Sequence, residues 1–189
     1  MAIVEKKPRS AASPRRSVGG FTLIEVLCVV VIMAIAAAIV FAGLSNTNDV
    51  QAGSGARTVM TDLMYAQNRA IATQQPVYVT FNTTASSYSL CSSLIGPTYL
   101  TNPVTQANYS NTFGSGSLLT LSNCVFQTVN LGGQTSMYFD QLGTPYSCSS
   151  TGTGPAAFTT AGSVVIISGG TRYAITIQPD TGDMTIAMQ

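Results

Sequence analysis

Histidine does not occur in this chain of 189 residues, and charge is scarce: Asp, Glu, Lys and Arg make up 8% of it, against roughly 25% in ordinary soluble domains. Without histidine, Ser-His-Asp and Cys-His hydrolases and every His-ligated metal site are excluded. No lysine follows Lys7, and past residue 20 the cations are Arg57, Arg69 and Arg172. Three positive side chains cannot build a phosphate-tracking surface, because nucleic-acid affinity rests on neutralising several phosphates together. Whole-chain disorder is excluded from the other side, since 46% of the residues are hydrophobic and disordered chains are poor in them. The length fits one domain.

What charge there is lies unevenly. In the first twenty residues Lys6, Lys7, Arg9, Arg15 and Arg16 face Glu5 alone. The rest sets three arginines against Glu25, Asp49, Asp62, Asp140, Asp180 and Asp183, so the net +1 hides a basic start and an acidic remainder. From Val26 to Leu44 the chain runs 19 residues without a charge. As a helix that is about 28 Å, close to a bilayer core of roughly 30 Å. Positive charge ahead of such a run keeps the N-terminus cytoplasmic and sends the following part across. A buried helix of a soluble core would instead show a polar face.

An ordinary secretory signal peptide would find a small-residue cleavage site at Val40-Phe41-Ala42. A lipoprotein signal does not fit, because Glu25-Val26-Leu27 precede Cys28. Glu25 argues for something further. Insertion scales charge about 3 kcal/mol for an acid within a membrane helix, and a plain signal peptide gains nothing from one.

The segment Gly19-Gly20-Phe21-Thr22-Leu23-Ile24-Glu25-Val26 resembles the prepilin processing motif of type IV pilins and type II secretion pseudopilins. The resemblance implies cleavage between Gly20 and Phe21 by a membrane aspartyl peptidase, N-methylation of Phe21, and for Glu25 the place of the family's fifth mature residue. The leader is long for a pilin of the main type. Phe21 and Glu25 are four apart and share a helix face. After cleavage the Phe21 amine and the positive helix end lie beside the Glu25 carboxylate. In a fibre the same carboxylate can pair with a neighbour's amine, and stranding one member of a buried pair costs several kcal/mol. Glu25 is therefore read as the register device for assembly, against the plainer alternative of an interfacial acid that snorkels to the headgroups.

Asn46, Asn48, Gly53 and Gly55 are weak helix formers, and a kink or melted stretch is expected there. The pattern recovers in Val59, Leu63, Ala66 and Ala70, one apolar face flanked by Met60, Met64, Gln67 and Ile71. Gln74-Gln75-Pro76 ends it. The segment from Arg57 to Pro76, with Leu63, Ala66-Gln67, Ala70-Ile71 and Gln75-Pro76, resembles the helix of GspH/FimT-type minor pilins and pseudopilins, which runs directly into a strand. Phe139 to Gly143 resembles that family's head, and the hairpin from Val164 to Met188 its closing strands.

Expected strands are 77–82, 87–91, 118–122, 125–131, 137–139, 163–168, 172–178 and 183–188, each bounded by Gly, Pro, Asn or Ser. Gly169-Gly170 and Pro179-Asp180-Thr181-Gly182 fit hairpin turns. Residues 92–117 read as an irregular insertion. The fold expected is α+β: a long N-terminal helix, half membrane-spanning and half amphipathic, packed on an antiparallel β-sheet head. Its parts are a removable leader (1–20), a transmembrane and assembly helix (21–45), a periplasmic helix half (46–75) and the head (76–189).

Cys28 reads as an apolar packer of the first helix. Cys91, Cys124 and Cys148 would meet an oxidising periplasm, and one disulfide among them allows three pairings. Their spacing suggests no metal site. Asp180 and Asp183 could supply oxygen ligands to calcium, but a hairpin turn explains the same residues. Asp62 and Arg69 read as parts of a solvated stripe. The head carries no charge from Ala70 to Phe139 or from Gln141 to Thr171, so little repulsion separates copies.

The expected function is that of a structural minor subunit of a type IV pilus or type II secretion pseudopilus. It would be processed by the prepilin peptidase/methylase and anchored in the inner membrane by one span with a periplasmic head. Its partners would be other pilins or pseudopilins through the N-terminal helix. No catalysis and no cofactor are expected, and nucleic acid is not an expected partner. The alternatives are a fibre-tip module that captures DNA or another ligand, and a secreted β-rich domain with an ordinary signal peptide.

Overall fold

The computed structural model describes residues 20–43, with side chains through Ala38, and residues 47–189. The leader apart from Gly20, and the expected kink at Asn46, lie outside the described residues. The chain divides into two compact units, residues 1–44 and 45–189.

The first unit is carried by helix α1 (Leu23–Gly43). Its start is fixed locally: the Glu25 amide donates to the Thr22 side-chain oxygen at 3.3 Å, which satisfies one of the orphan donors of a helix N-terminus. Leu23, Ile24, Val26, Leu27, Val29 to Met33 and Ile35 are all exposed within this unit. Among the described residues no helix is long and apolar enough to cross a membrane.

The second unit begins with helix α2 (Thr47–Thr73), which buries Ala52, Gly53, Gly55, Ala56, Val59, Leu63, Ala66 and Ala70. The face read from the periodicity is there, but the expected break at Gly53 and Gly55 is not; α2 is continuous through both. Packing explains why. A Cβ on Gly55 would lie 3.3 Å from Cys124 Sγ, and one on Gly53 would lie 3.4 Å from the Tyr173 ring. These glycines let a sheet approach the helix closely, and tertiary contact overrides their low propensity. Gln74, at φ 53°, turns the chain out of the helix in the left-handed conformation common at helix ends.

Eleven strands follow: β1 (Val77–Asn82), β2 (Ser87–Ser93), β3 (Thr98–Tyr99), β4 (Ser110–Thr112), β5 (Cys124–Asn130), β6 (Ser136–Phe139), β7 (Pro145–Cys148), β8 (Ala156–Ala157), β9 (Gly162–Ser168), β10 (Thr171–Ile177) and β11 (Met184–Met188). A seven-stranded sheet has the order β3-β2-β1-β6-β7-β8, with β4 also on β2, and a four-stranded sheet has the order β11-β10-β9-β5. The pairings are antiparallel throughout the described strands. Helix α2 packs on strands of both sheets. Val59, Leu63 and Ala66 meet Val79, Leu90, Met137 and Phe139 from one sheet and Phe126, Ile166, Ile175 and Ile177 from the other in one buried core. The molecule is thus α+β, a helix packed on antiparallel sheets.

One expected strand is absent. Residues 116–121 form 3₁₀ turns kinked at Leu118, whose φ is −106°. Leu118 and Leu121 are both buried, and they join the core from these turns rather than from a strand. The left-handed Gly114 and Gly116, at φ 77° and 54°, also oppose an extended run. Residues 92–117 are more ordered than expected, since they contain β3 and β4. The Gly169-Gly170 turn joins β9 to β10 directly, with Ser168 opposite Thr171, and Gly169 takes the positive φ of 59° that such turns require.

Candidate functional site

The N-terminal residues expected to be processed lie in the open. Gly20 is exposed, a Cβ placed on it would meet nothing within 4 Å, and Phe21 is 81% exposed. Glu25 lies in the first turn of α1. Phe21, which lies ahead of α1, and Glu25 line one shallow groove with Val26, Val29 and Val30. Thr22 was not singled out from the sequence, although T-x-x-E ahead of an apolar run is the spacing of a capping box. It places Thr22 at the helix cap and Glu25 three residues on.

In the second unit the residues of the family-like segments converge at the C-terminal end of α2. Leu63, Ala66 and Ala70 are fully buried, as is Phe139. Gln67 Nε2 donates to the Gly143 carbonyl at 3.0 Å and to the Thr181 carbonyl at 3.1 Å. One amide thereby ties the 140–144 turn and the 179–182 turn to the helix. The fit is close: a Cβ on Gly143 would lie 2.8 Å from Ile71 Cδ1, and one on Gly182 would lie 2.6 Å from Gln67 Nε2. Both glycines have positive φ, 85° and 69°. Asp140 closes its own turn, its Oδ1 accepting from the Leu142 and Thr144 amides at 2.9 and 2.8 Å.

Asp62 departs from the sequence reading. It is not part of a solvated stripe with Arg69 but the acceptor of three neutral donors. The Tyr88 hydroxyl donates to Oδ2 at 2.5 Å, the Tyr109 hydroxyl to Oδ1 at 2.8 Å and Asn111 Nδ2 to Oδ2 at 2.9 Å. The Tyr65 ring stacks on Tyr109 with centroids 5.4 Å apart. Burial pushes the Asp62 carboxyl above the ordinary aspartate range, opposed by the three hydrogen bonds. Burial and the Asp62 carboxylate push both phenols upward. This hub ties α2 to β2 and to the segment that had read as an irregular insertion. Its partners lie 26 to 49 residues away, a separation to which helical periodicity is blind.

Cys91, Cys124 and Cys148 are three separate buried thiols in the structure, and Cys28 is exposed on α1. Cys91 in β2 and Cys148 in β7 have β1 and β6 between them. Three interstrand steps span about 14 Å, far beyond disulfide reach. Cys124, in the other sheet, donates through Sγ to the Gln51 carbonyl at 3.3 Å. Burial raises the pKa of all three, that of Cys148 to about 11. Asp180 and Asp183 sit exposed in a turn closed by the Gln178 amide on the Asp183 carbonyl at 2.8 Å. Among the described residues no group of three or more Cys, Asp or Glu side chains could hold a metal. Arg57, Arg69 and Arg172 are exposed; the two on α2 are twelve residues, or about 18 Å, apart along the helix.

Comparison with known proteins bears directly on these segments. The model of the prokaryotic N-terminal methylation motif matches residues 15–41, and that of the type II transport protein GspH matches residues 55–182. The second match covers more than half of the chain. The chain belongs to the GspH family. A GspH-family chain with this N-terminal motif is a minor pilin or pseudopilin subunit, a structural component that assembles with other pilins or pseudopilins. Among solved structures it is similar to the minor pseudopilin EpsH from the type 2 secretion system of Vibrio cholerae, at 11% identity and a TM-score of 0.46, over 73% of this chain and 97% of that one. No curated protein matches the chain. The GspH match begins at Gly55 and ends at Gly182, and so takes in Asp62, Gln67 and both turns that Gln67 holds. The DNA-capture and ordinary signal-peptide readings are not favoured.

Proposed function

We propose that this GspH-family protein is made as a prepilin, cut between Gly20 and Phe21, and N-methylated on Phe21. It is then held in the inner membrane by the 21–45 segment, with its head in the periplasm, until it is drawn into a pilus or pseudopilus. The observation that carries the reading is the exposed Gly20-Phe21 pair directly ahead of a capped helix with Glu25 in its first turn. A peptidase that cuts after glycine needs an unhindered, extended backbone there. The anchor reading is supported by the match of the N-terminal methylation motif to residues 15–41 and by the uncharged sequence run from Val26 to Leu44. The basic leader supports a cytoplasmic N-terminus.

In this reading the Glu25 carboxylate meets the methylated amine of a neighbouring subunit and sets the axial register of the helices. Glu25→Val tests it. Removing a costly acid leaves the variant in the membrane fraction at wild-type level or above. Fibre assembly, scored by complementation, falls about tenfold or more, because the partner amine is stranded. Normal assembly by the Val variant would show that Glu25 is not the register device.

A further inference from the structure

The face of the seven-stranded sheet turned away from α2 carries two rows of side chains that the subunit function does not use. Strand register sets both. One row is Tyr99, Cys91, Tyr78, Tyr138 and Tyr146 across β3, β2, β1, β6 and β7. The Tyr78 and Tyr138 ring centroids are 5.3 Å apart, as are those of Tyr138 and Tyr146. The neighbouring row is Ser110, Ser89, Thr80, Ser136 and Cys148 across β4, β2, β1, β6 and β7. Thr80 and Ser136 share a hydrogen bond of 2.8 Å between their hydroxyls.

A cavity of about 480 Å³ opens over the second row, lined among others by Thr80, Ser87, Ser89, Tyr99, Ser110 and Ser150. That volume lies in the range of small-molecule sites, but the lining is unlike that of a typical one, which is mainly apolar. Here hydroxyls dominate, and none of the lining residues is charged. Each hydroxyl both donates and accepts. An aromatic residue, Tyr99, is among the lining residues and is 40% exposed. An anionic or cationic ligand would enter with no counter-charge, and an apolar one would strand the hydroxyls. A neutral polyhydroxylated molecule satisfies both conditions: its hydroxyls interlace with the Ser and Thr row, and a pyranose C–H face covers the Tyr99 ring. We infer that this cavity is a binding site for a neutral saccharide, with Ser89 and Thr80 as its floor and Tyr99 as its stacking wall. The inference rests on the head alone and not on the processing reading.

The test uses the full chain in zwitterionic-detergent micelles, which carry no sugar headgroup. Cellotetraose, maltotetraose and chitotetraose are titrated by calorimetry. At least one is expected to bind with a dissociation constant of about 0.1–1 mM, and Tyr99→Ala and Ser89→Val each weaken it about tenfold or more. Tyr99 is partly exposed on a two-residue edge strand, so its variant keeps the wild-type circular dichroism. No binding of any of the three up to about 10 mM, or a Tyr99→Ala variant that titrates like the wild type, overturns the site. So does equally tight binding of dextran sulfate, which would show a ligand chosen for charge.

Discussion

Asp62 shows what a single carboxylate does when its environment, rather than an ion partner, holds it. Tyr88, Tyr109 and Asn111 all donate to it, so Asp62→Ala leaves three donors without their acceptor and costs about 1–3 kcal/mol of head stability. The pH dependence has a definite sign. Burial raises the folded-state pKa above the ordinary value, so the folded state binds the Asp62 proton more readily than the unfolded chain does. The contribution is then largest below the unfolded pKa and is lost as pH rises through the folded one. Urea unfolding of residues 45–189 at pH near 4 and near 7 should show that Asp62→Asn abolishes this decline; an identical pH slope in the variant would contradict it. The cysteines make a second residue-scale prediction. Cys91, Cys124 and Cys148 are at most 1% exposed and their thiols titrate above the usual range. Iodoacetamide near pH 8 should leave all three unmodified in the native head and alkylate all three in urea without reductant. Fewer than three modified thiols in urea would reveal a bridge.

Among the elements, α2 was the most legible in the sequence, because Val59, Leu63, Ala66 and Ala70 repeat at the helical period and the residues before Pro76 must leave it. The long strands were legible for the same kind of reason: β1, β9 and β10 alternate or run apolar between turn residues. What periodicity could not supply was the use of small residues. Gly53 and Gly55 read as helix breakers, yet they are contact points for Tyr173 and Cys124. The strands β3, β4, β7 and β8 are two to four residues long, too short to show a period of two. The node at Gln67 was visible only as a family-like segment; that its amide bridges two turns, more than 70 residues away, is a tertiary fact. Gly182→Ala tests how tightly that node is built. The new methyl meets Gln67 and the Gly143 carbonyl at a positive φ, and the expected loss is about 1–3 kcal/mol, read as a lowered urea midpoint with an unchanged slope. A variant as stable as the wild type would mean that the two turns are free to move away from the helix.

For the molecule as a whole, the two units carry different kinds of surface. The first exposes an unbroken run of apolar side chains on α1, the surface that a packed helical fibre or a bilayer covers. The second is nearly free of charge from Ala70 onward and carries three arginines, two of them about 18 Å apart along α2, which suits close packing of copies better than capture of a polyanion. The N-terminal motif was legible because its chemistry is local: a glycine, an aromatic residue, an acid four residues later and an apolar run all fall within a few turns. In the proposed assembly, processing of that segment comes first. Mass spectrometry of the mature N-terminal peptide tests it most directly. The expected chain begins at Phe21 and carries one added methyl group on its amine; a chain that begins at Gly43, after Val40-Phe41-Ala42, would contradict this processing.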